Sequence, residues 1–533
     1  MKRYAGVLLP VTSLPSKYGI GCFDQAAYDF VDWLQKAGQR YWQILPLGAT
    51  SYGSSDDSPY QAYSAFAGNP YLISLDALVE EGVLTREECD GVSFGDNPAK
   101  VDFDKLHEHR FALLRKAYER SGISANPDYQ NFIRDNGWWL NDYALFMALK
   151  TFFHDQPFRA WPEDIRMHWG FALEHYNREL YFDIEFQKYM QFKFNQQWSR
   201  LKAYANGKHI QIVGDIPIYV SPDGADVWAH PELFQLDAHN APTAIAGCPP
   251  DAFAEDGQAW GNPLYNWNFH RATDYAWWVS RMWYSFKLYD VVRIDHFRGF
   301  DEYFSIPADA KTARGGHWAG STANCSTARG GHWEKGPGME LFNSIRRHLG
   351  NVSVIAEDLG LMTDGVRALV RDSGYPNMKV LQFAVDPADV GGANDYWPHN
   401  YNSNCVVYTG THDNETLAGW YAGLSIEAKT QVRNYLSDYY TPDDRMYKVL
   451  INLAMTAVAK DCIIPIQDHL GLGNEARMNQ PGTVGFNWRW RLLPGQLTDA
   501  LAQELLAMAK RTGRANWDTL PKKKDTDADK TEK

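Results

Sequence analysis

The chain has 533 residues, 45% of them hydrophobic and 22% charged, the balance of an ordinary globular protein with room for one large domain and insertions. A formal charge of −13 at pH 7 argues against nucleic acid phosphates or an anionic membrane as partner, since both select basic surfaces. A neutral ligand fits better, and the 20 tryptophans and 30 tyrosines either fill a large core or include flat rings able to stack on a sugar, two readings that composition leaves open.

The opening MKRYAGVLLPVTSLPS has only a short apolar stretch, and no run approaches the ~18 residues that span a bilayer. A cytoplasmic protein without a membrane partner is expected. Cys22, Cys89, Cys248, Cys325, Cys405 and Cys462 show no C-x-x-C spacing, which fits reduced thiols better than a disulfide or zinc framework. Neither a metal nor a cofactor is expected.

Short β-branched apolar runs that end in polar clusters read as buried parallel strands feeding functional loops. The first two are 6–10 (GVLLP) and 41–46 (YWQILP). The gap that follows is too long for one helix. It carries helical periodicity in KLHEHRFALLRKAYERS and WWLNDYALFMALKTFF, so a mostly helical inserted subdomain is expected over about 49–205, with 185–204 leading back. Six further runs are 210–219 (IQIVGDIPIY), 290–295 (DVVRID), 352–357 (VSVIAE), 378–385 (MKVLQFAV), 405–409 (CVVYT) and 462–466 (CIIPI). Eight strand-helix units are the arithmetic of an α/β TIM (β/α)8 barrel, whose chemistry sits at the C-terminal strand ends. A doubly wound open sheet is the alternative. The expected organisation is a single catalytic barrel over 1–520 with a further loop insertion at about 301–340 and a disordered charged tail at 521–533. TARGGHW occurs at 312–318 and again at 327–333; a single repeat reads as a local duplication lengthening a surface loop, because a solenoid needs more units.

Arg293 and Asp295 in VVRIDHFRG lie two apart on a predicted strand, so both side chains leave one face and the guanidinium can hold the carboxylate ionised. A nucleophile needs this, and so does a structural ion pair. Glu357 closes VSVIAE at the mouth of an apolar strand, where lost solvation raises a carboxyl toward the range of a general acid. His412 and Asp413 in TGTHDN follow the seventh strand among small polar residues. In a barrel, Asp295, Glu357 and Asp413 would follow strands four, five and seven into one basin. A nucleophile and an acid/base would then give double displacement with retention, and the third acid would grip ring hydroxyls of the distorted sugar.

The segments GDIPIYVSPDGADVW, GCPPDAFAEDGQAWGNPLY, VRIDHFRGF, IAEDLG and TGTHDN together resemble the 4-α-glucanotransferases known as amylomaltase or disproportionating enzyme, relatives of the α-amylase superfamily. The likeness runs from GVLLPVTSLPS and SPYQAYSAFAGNPYLISLD to RMNQPG and FNWRWR. It implies that Asp295 is the nucleophile, Glu357 the acid/base and Asp413 the transition-state stabiliser, while Arg293 and His412 orient the nucleophile and bind the cleaved sugar. By the same resemblance Asp215, Asp251, His296, Ser58 and Tyr60 contact substrate, although Asp215 could equally make a structural hydrogen bond to a neighbouring loop. The loop 249–263, with Phe253, Gln258 and Trp260, resembles a lid over the acceptor side that would exclude water and offer a stacking surface, or else is an ordered surface loop anchored by Trp260.

The sequence departs from that pattern in its doubled TARGGHW, about fifteen extra residues ahead of Trp333 to Gly338. The expected activity is disproportionation of malto-oligosaccharides and other α-1,4-glucans, with glucose or a glucan 4-hydroxyl as acceptor. A hydrolase using the same carboxylates is the alternative. GLGNEA at 471–476 fits a loose dinucleotide pattern, but it follows the last predicted strand rather than the first. Oligomeric state is left open by the sequence.

Overall fold

The computed structural model describes residues 2–51, 57–249, 257–310, 331–360, 362–389 and 391–519. Their strands, in chain order, are β1 (Tyr4–Leu8), β2 (Tyr41–Gln43), β3 (Gln211–Pro217), β4 (Ala244–Cys248), β5 (Gln258–Pro263), β6 (Val291–Asp295), β7 (Glu302–Pro307), β8 (His332–Lys335), β9 (Val354–Ala356), β10 (Asn377–Val380), β11 (Cys405–Tyr408) and β12 (Asp461–Pro465). Eight of them close into a parallel barrel with the ring order β1-β12-β11-β10-β9-β6-β3-β2. Each is one of the eight predicted runs, and closure rules out the open sheet.

Alternation along each strand explains why both faces are apolar. Leu8, Val213, Ile355, Val380, Val406 and Ile463 turn inward and pack together. Val7, Ile212, Val292, Ile294 and Val354 turn outward into the main core, while Ala5, Val407 and Ile464 enter a second one. Helices Gln25–Lys36, Tyr181–Gly207, Ala276–Leu288, Met339–Leu349, Asp364–Ser373, Met446–Thr456 and Asp499–Arg511 surround the ring. Among the described residues one gap holds no α-helix. Between β10 and β11 the described chain has only the 3-10 turns Leu381–Ala384 and Pro398–Asn400.

Between β2 and β3 the periodic segments are helices Phe103–Ser121 and Pro127–Phe152. Gly122 ends the first in a left-handed conformation (φ 54°), and Asn126 caps the second ahead of a proline at its first turn. The second packs along Tyr181–Gly207, with the Tyr129 and Phe132 rings 5.5 and 5.7 Å from that of Phe192. No described helix is long and apolar enough to cross a membrane.

The sequence reading gives no second sheet, yet β4, β5, β7 and β8 form one, antiparallel, in the order β5-β4-β7-β8. Its strands come from the long connections after β3 and β6. QAWGNP carries two breakers in six residues and so hides its period from the sequence pattern. Residues 249–263 are partly strand as a result, and the lid expectation there applies only to what precedes β5. Most of the doubled TARGGHW and the tail lie outside the described residues; the second copy ends in β8, where Trp333 packs on Phe304 with ring centroids 5.3 Å apart.

Candidate active site

The site begins as a pairing register. β3 and β6 align Asp215 with Arg293 and Pro217 with Asp295, so three charged side chains project from adjacent strands into the top of the barrel. Arg293 Nη1 donates to both Asp215 oxygens at 2.8 and 2.6 Å, and its Nη2 lies 2.8 Å from Asp295 Oδ1. Its Nε points at Met378 Sδ, 3.4 Å away. Tyr60 Oη donates to Asp215 Oδ2 at 2.8 Å. Asp215 is 0% exposed and lies beneath the main cavity rather than on its surface. Arg293 is likewise buried, and Asp215 supplies the acceptors for the guanidinium nitrogen that does not face Asp295.

Glu357 follows β9 and is 8% exposed. Its Oε2 accepts the His296 N–H and its Oε1 the Leu359 N–H, both at 2.7 Å. The backbone turns left-handed at His296 (φ 54°) directly after Asp295, a conformation that histidine adopts more readily than most residues. Burial, reinforced by the nearby Asp295 charge, pushes Glu357 up to about 8 against the pull of Arg293 and the two amides. Burial also raises the Asp295 carboxyl, and Arg293 draws it back. Both carboxyls are raised by burial, but Asp295 has the Arg293 guanidinium in direct contact at 2.8 Å while Glu357 has only two amides, which favours the charge on Asp295 and the proton on Glu357.

Asp413 lies on the loop after β11. Asn479 Nδ2 donates to its Oδ1 at 2.6 Å, and His412 Nε2 is 3.3 Å from the same oxygen. The backbone carbonyl of Asp413 accepts from Arg477 Nη2 at 2.8 Å. His412 stacks on Tyr60 (centroids 5.1 Å apart, planes at 18°), and Trp488 lies 5.8 Å from Tyr60 and 5.9 Å from His412. Across the cavity, Trp260 meets the His296 ring edge-on at 4.8 Å, and its Nε1 donates to Gln258 Oε1 at 3.0 Å. Burial pushes His296 down to about 3, so its ring is neutral.

These groups enclose a cavity of about 420 Å³ lined by Asp295, Asp413, His296, His412, Ser58, Tyr60, Gln258 and Trp260, within the range of small-molecule sites. Glu357 stands behind His296, and Arg293 with Asp215 forms the layer below. Asp251 and Phe253 lie outside the described residues. Tyr219, Asn262, Asn479, Asn487 and Trp488 also line the cavity and were given no role from sequence; only RMNQPG and FNWRWR, as shared segments, pointed to the last three. Among the described residues no cluster of three His, Cys, Asp or Glu could hold a metal. The GLGNEA segment turns after the short helix Ile466–Leu470 that ends β12, away from any first strand of a βαβ unit.

Chemically, the arrangement offers two carboxyls, Asp295 and Asp413, on the wall of a cavity lined by aromatic rings, and a third, Glu357, directly behind it. A family profile described as 4-alpha-glucanotransferase matches residues 9–498. The 4-alpha-glucanotransferase of Clostridium butyricum is 44% identical over 508 residues, covering 95% of this chain and 99% of its own. That of Streptococcus pneumoniae serotype 4 is 45% identical, covering 98% and 100%. Among solved structures, the amylomaltase from Streptococcus agalactiae in complex with acarbose superposes with a TM-score of 0.90 at 39% identity, covering 97% of this chain and 100% of that one.

Proposed function

The chain belongs to the 4-alpha-glucanotransferase family and acts as a 4-α-glucanotransferase, and we propose that it works through a covalent glycosyl-enzyme with Asp295 as nucleophile, Glu357 as acid/base and Asp413 as transition-state stabiliser. The observation that carries this reading is that Asp295, on the wall of a sugar-sized cavity, is gripped by the Arg293 guanidinium at 2.8 Å, while the buried Glu357, tied to the amide of the next residue, His296, has no direct cation. Protonated Glu357 donates to the glycosidic oxygen while Asp295 attacks the anomeric carbon, and the reducing-end fragment leaves. Glu357, now ionised, takes the proton of an acceptor 4-hydroxyl, which displaces Asp295 with overall retention. Asp413, fixed by Asn479 and His412, holds ring hydroxyls of the distorted sugar. Ser58, Tyr60, His296, His412, Gln258 and Trp260 contact the glucan, and Arg293 orients the nucleophile, itself held by Asp215.

The substrates are α-1,4-glucans and malto-oligosaccharides, with glucose as the smallest acceptor. Buried free thiols such as Cys22, Cys405 and Cys462 support a reducing, cytoplasmic setting. Incubation with maltotriose tests the reaction. A ladder of longer and shorter oligosaccharides with little gain in reducing ends is expected, whereas reducing ends that rise in step with substrate loss would make the protein a hydrolase using the same carboxylates.

A further inference from the structure

The missing helix between β10 and β11 leaves a second polar cavity on the barrel's outer wall. The other barrel strands turn apolar residues outward: Val7, Trp42, Ile212, Val292, Val354, Val407 and Ile464 are all in packed cores. On β10, Met378 and Val380 face the barrel interior, so the outward positions are Asn377 and Lys379, only 7% and 9% exposed. Above them is a cavity of about 480 Å³, bounded by Asp358, helix Asp364–Ser373 and the segment 395–404. Lys379 Nζ makes no hydrogen bond or ion pair with a described residue; it lies 5.3 Å from the Tyr396 ring centroid. Most of the Lys379 side chain is buried, and its ammonium opens on the cavity with no hydrogen-bond acceptor among the described residues.

We propose that this cavity is a second sugar site, taking a glucose unit or the glucose end of a malto-oligosaccharide. Lys379 is a donor with no acceptor. Asp358 beside it is an acceptor: its Oδ2 receives the Asn377 amide at 2.8 Å and its Oδ1 the Met378 N–H at 3.2 Å, leaving lone pairs over. The lining sets Lys379, Arg367 and Arg371 against Asp358 and Asp395, with Arg367 paired to Asp395 at 2.9 Å, so an ion of either sign meets groups of its own sign. Adjacent hydroxyls of a neutral sugar satisfy a donor and an acceptor together, and the Tyr375 and Tyr396 rings in the wall suit its apolar side. The two cavities stand back to back. Glu357 turns into the barrel while Asp358, the next residue, turns outward, so an occupant of the outer cavity bears on the segment that holds the acid/base.

The choice of sugar rests on the glucan reading; the test does not depend on turnover. D-glucose alone, with no donor glucan, is titrated against the full chain and followed by saturation-transfer NMR. Trp260→Ala weakens the catalytic cavity, Lys379→Met removes the unpaired donor, and Ser403→Trp plugs the outer mouth from an exposed position without disturbing the buried groups. The expected result is a saturable glucose signal that persists in Trp260→Ala, falls about tenfold in affinity in the double variant with Lys379→Met, and disappears in that with Ser403→Trp at unchanged Tm. A signal in Trp260→Ala that neither outer change affects would overturn the proposal, as would no signal at all. Displacement of glucose by inorganic phosphate would overturn the ligand class. Failure here leaves the maltotriose result untouched, because the titration reads occupancy alone.

Discussion

Asp215 and Glu357 are buried carboxyls near one guanidinium, and their different partners give them different work. Asp215 gives both oxygens to Arg293 and accepts Tyr60 as well. Its replacement by Ala leaves Arg293 Nη1 and the Tyr60 hydroxyl without their buried acceptor, at a cost of about 1–3 kcal/mol for each orphaned group. Thermal unfolding of Asp215→Ala without any sugar should show that loss, together with a fall in kcat as Asp295 loses its fixed partner. A residue that merely touched substrate would raise KM and leave Tm unchanged. Glu357 has two backbone amides and no direct cation, so burial dominates and its carboxyl rises to about 8. Between the ordinary glutamate value of ~4.3 and that figure, the folded protein keeps a proton that the unfolded chain has lost. Stability must therefore fall as pH rises through this window. Measured from pH 5 to pH 8, the Tm of the wild type should lose ground against that of Glu357→Gln, whatever the offset between them. Activity has the same origin. A general acid acts only while protonated, so kcat/KM on maltotriose should decline above about pH 8. Glu357→Gln should be slower by roughly 10² to 10⁴ and lack that limb; a variant with near-native rate would remove Glu357 from the mechanism.

At the level of elements, the loop that carries His412 and Asp413 is held at both ends by one side chain from the last barrel strand's exit. Asp468, fully buried, accepts the Thr409 hydroxyl at 2.6 Å and the Leu417 N–H at 2.7 Å, so the end of β11 and the start of the next helix, Leu417–Gly423, are tied across the loop. Asp468→Leu removes both ties. A displacement of about 1 Å at Asp413 can cost on the order of 10²-fold in rate, and kcat should fall by that order while glucose binding to the outer cavity is unchanged. Asp468→Asn, which keeps one acceptor, should recover part of the loss; equal rates for both variants would show that the tie does not position the loop. Such ties also mark where sequence reasoning stops. The barrel strands were legible because burial on both faces writes a continuous apolar run, and Asp295, Glu357 and Asp413 because each follows one. Asp468 also follows a strand, in CIIPIQDHL, but nothing local says that its carboxyl serves another loop. Trp488 and Asn479 were hidden for the same reason: they reach the cavity from the far end of the chain, and a one-dimensional pattern cannot report which loops meet. The gap between β10 and β11 is long enough for a helix, but the composition of PADVGGANDYWPHN opposes one.

Across the whole molecule, two layers divide the reaction between them. The barrel supplies the carboxylates, whose positions follow from strand register, and the small antiparallel sheet brings β5 over the cavity, with Gln258 and Trp260 on the wall that faces His296. In the proposed mechanism the glycosyl-enzyme can be resolved by water or by a sugar hydroxyl, so its fate would depend less on the carboxylates than on which nucleophile this wall admits. Trp260 is half-buried on the cavity wall and is held by its bond to Gln258, and its ring is proposed to receive the incoming glucose. Its removal should therefore change partition more than chemistry. For Trp260→Ala we expect the maltotriose ladder to shorten and reducing ends to rise per molecule consumed, with KM for a glucose acceptor raised. The first displacement, followed as fluoride release from α-maltosyl fluoride, should stay within about tenfold of the wild type, since the Trp260 indole N–H is spent on Gln258 and bonds neither Asp295 nor Glu357. An equal fall in both steps would mean that Trp260 supports the carboxylates themselves, and a ratio of transfer to hydrolysis that does not move would place the exclusion of water elsewhere in the cavity.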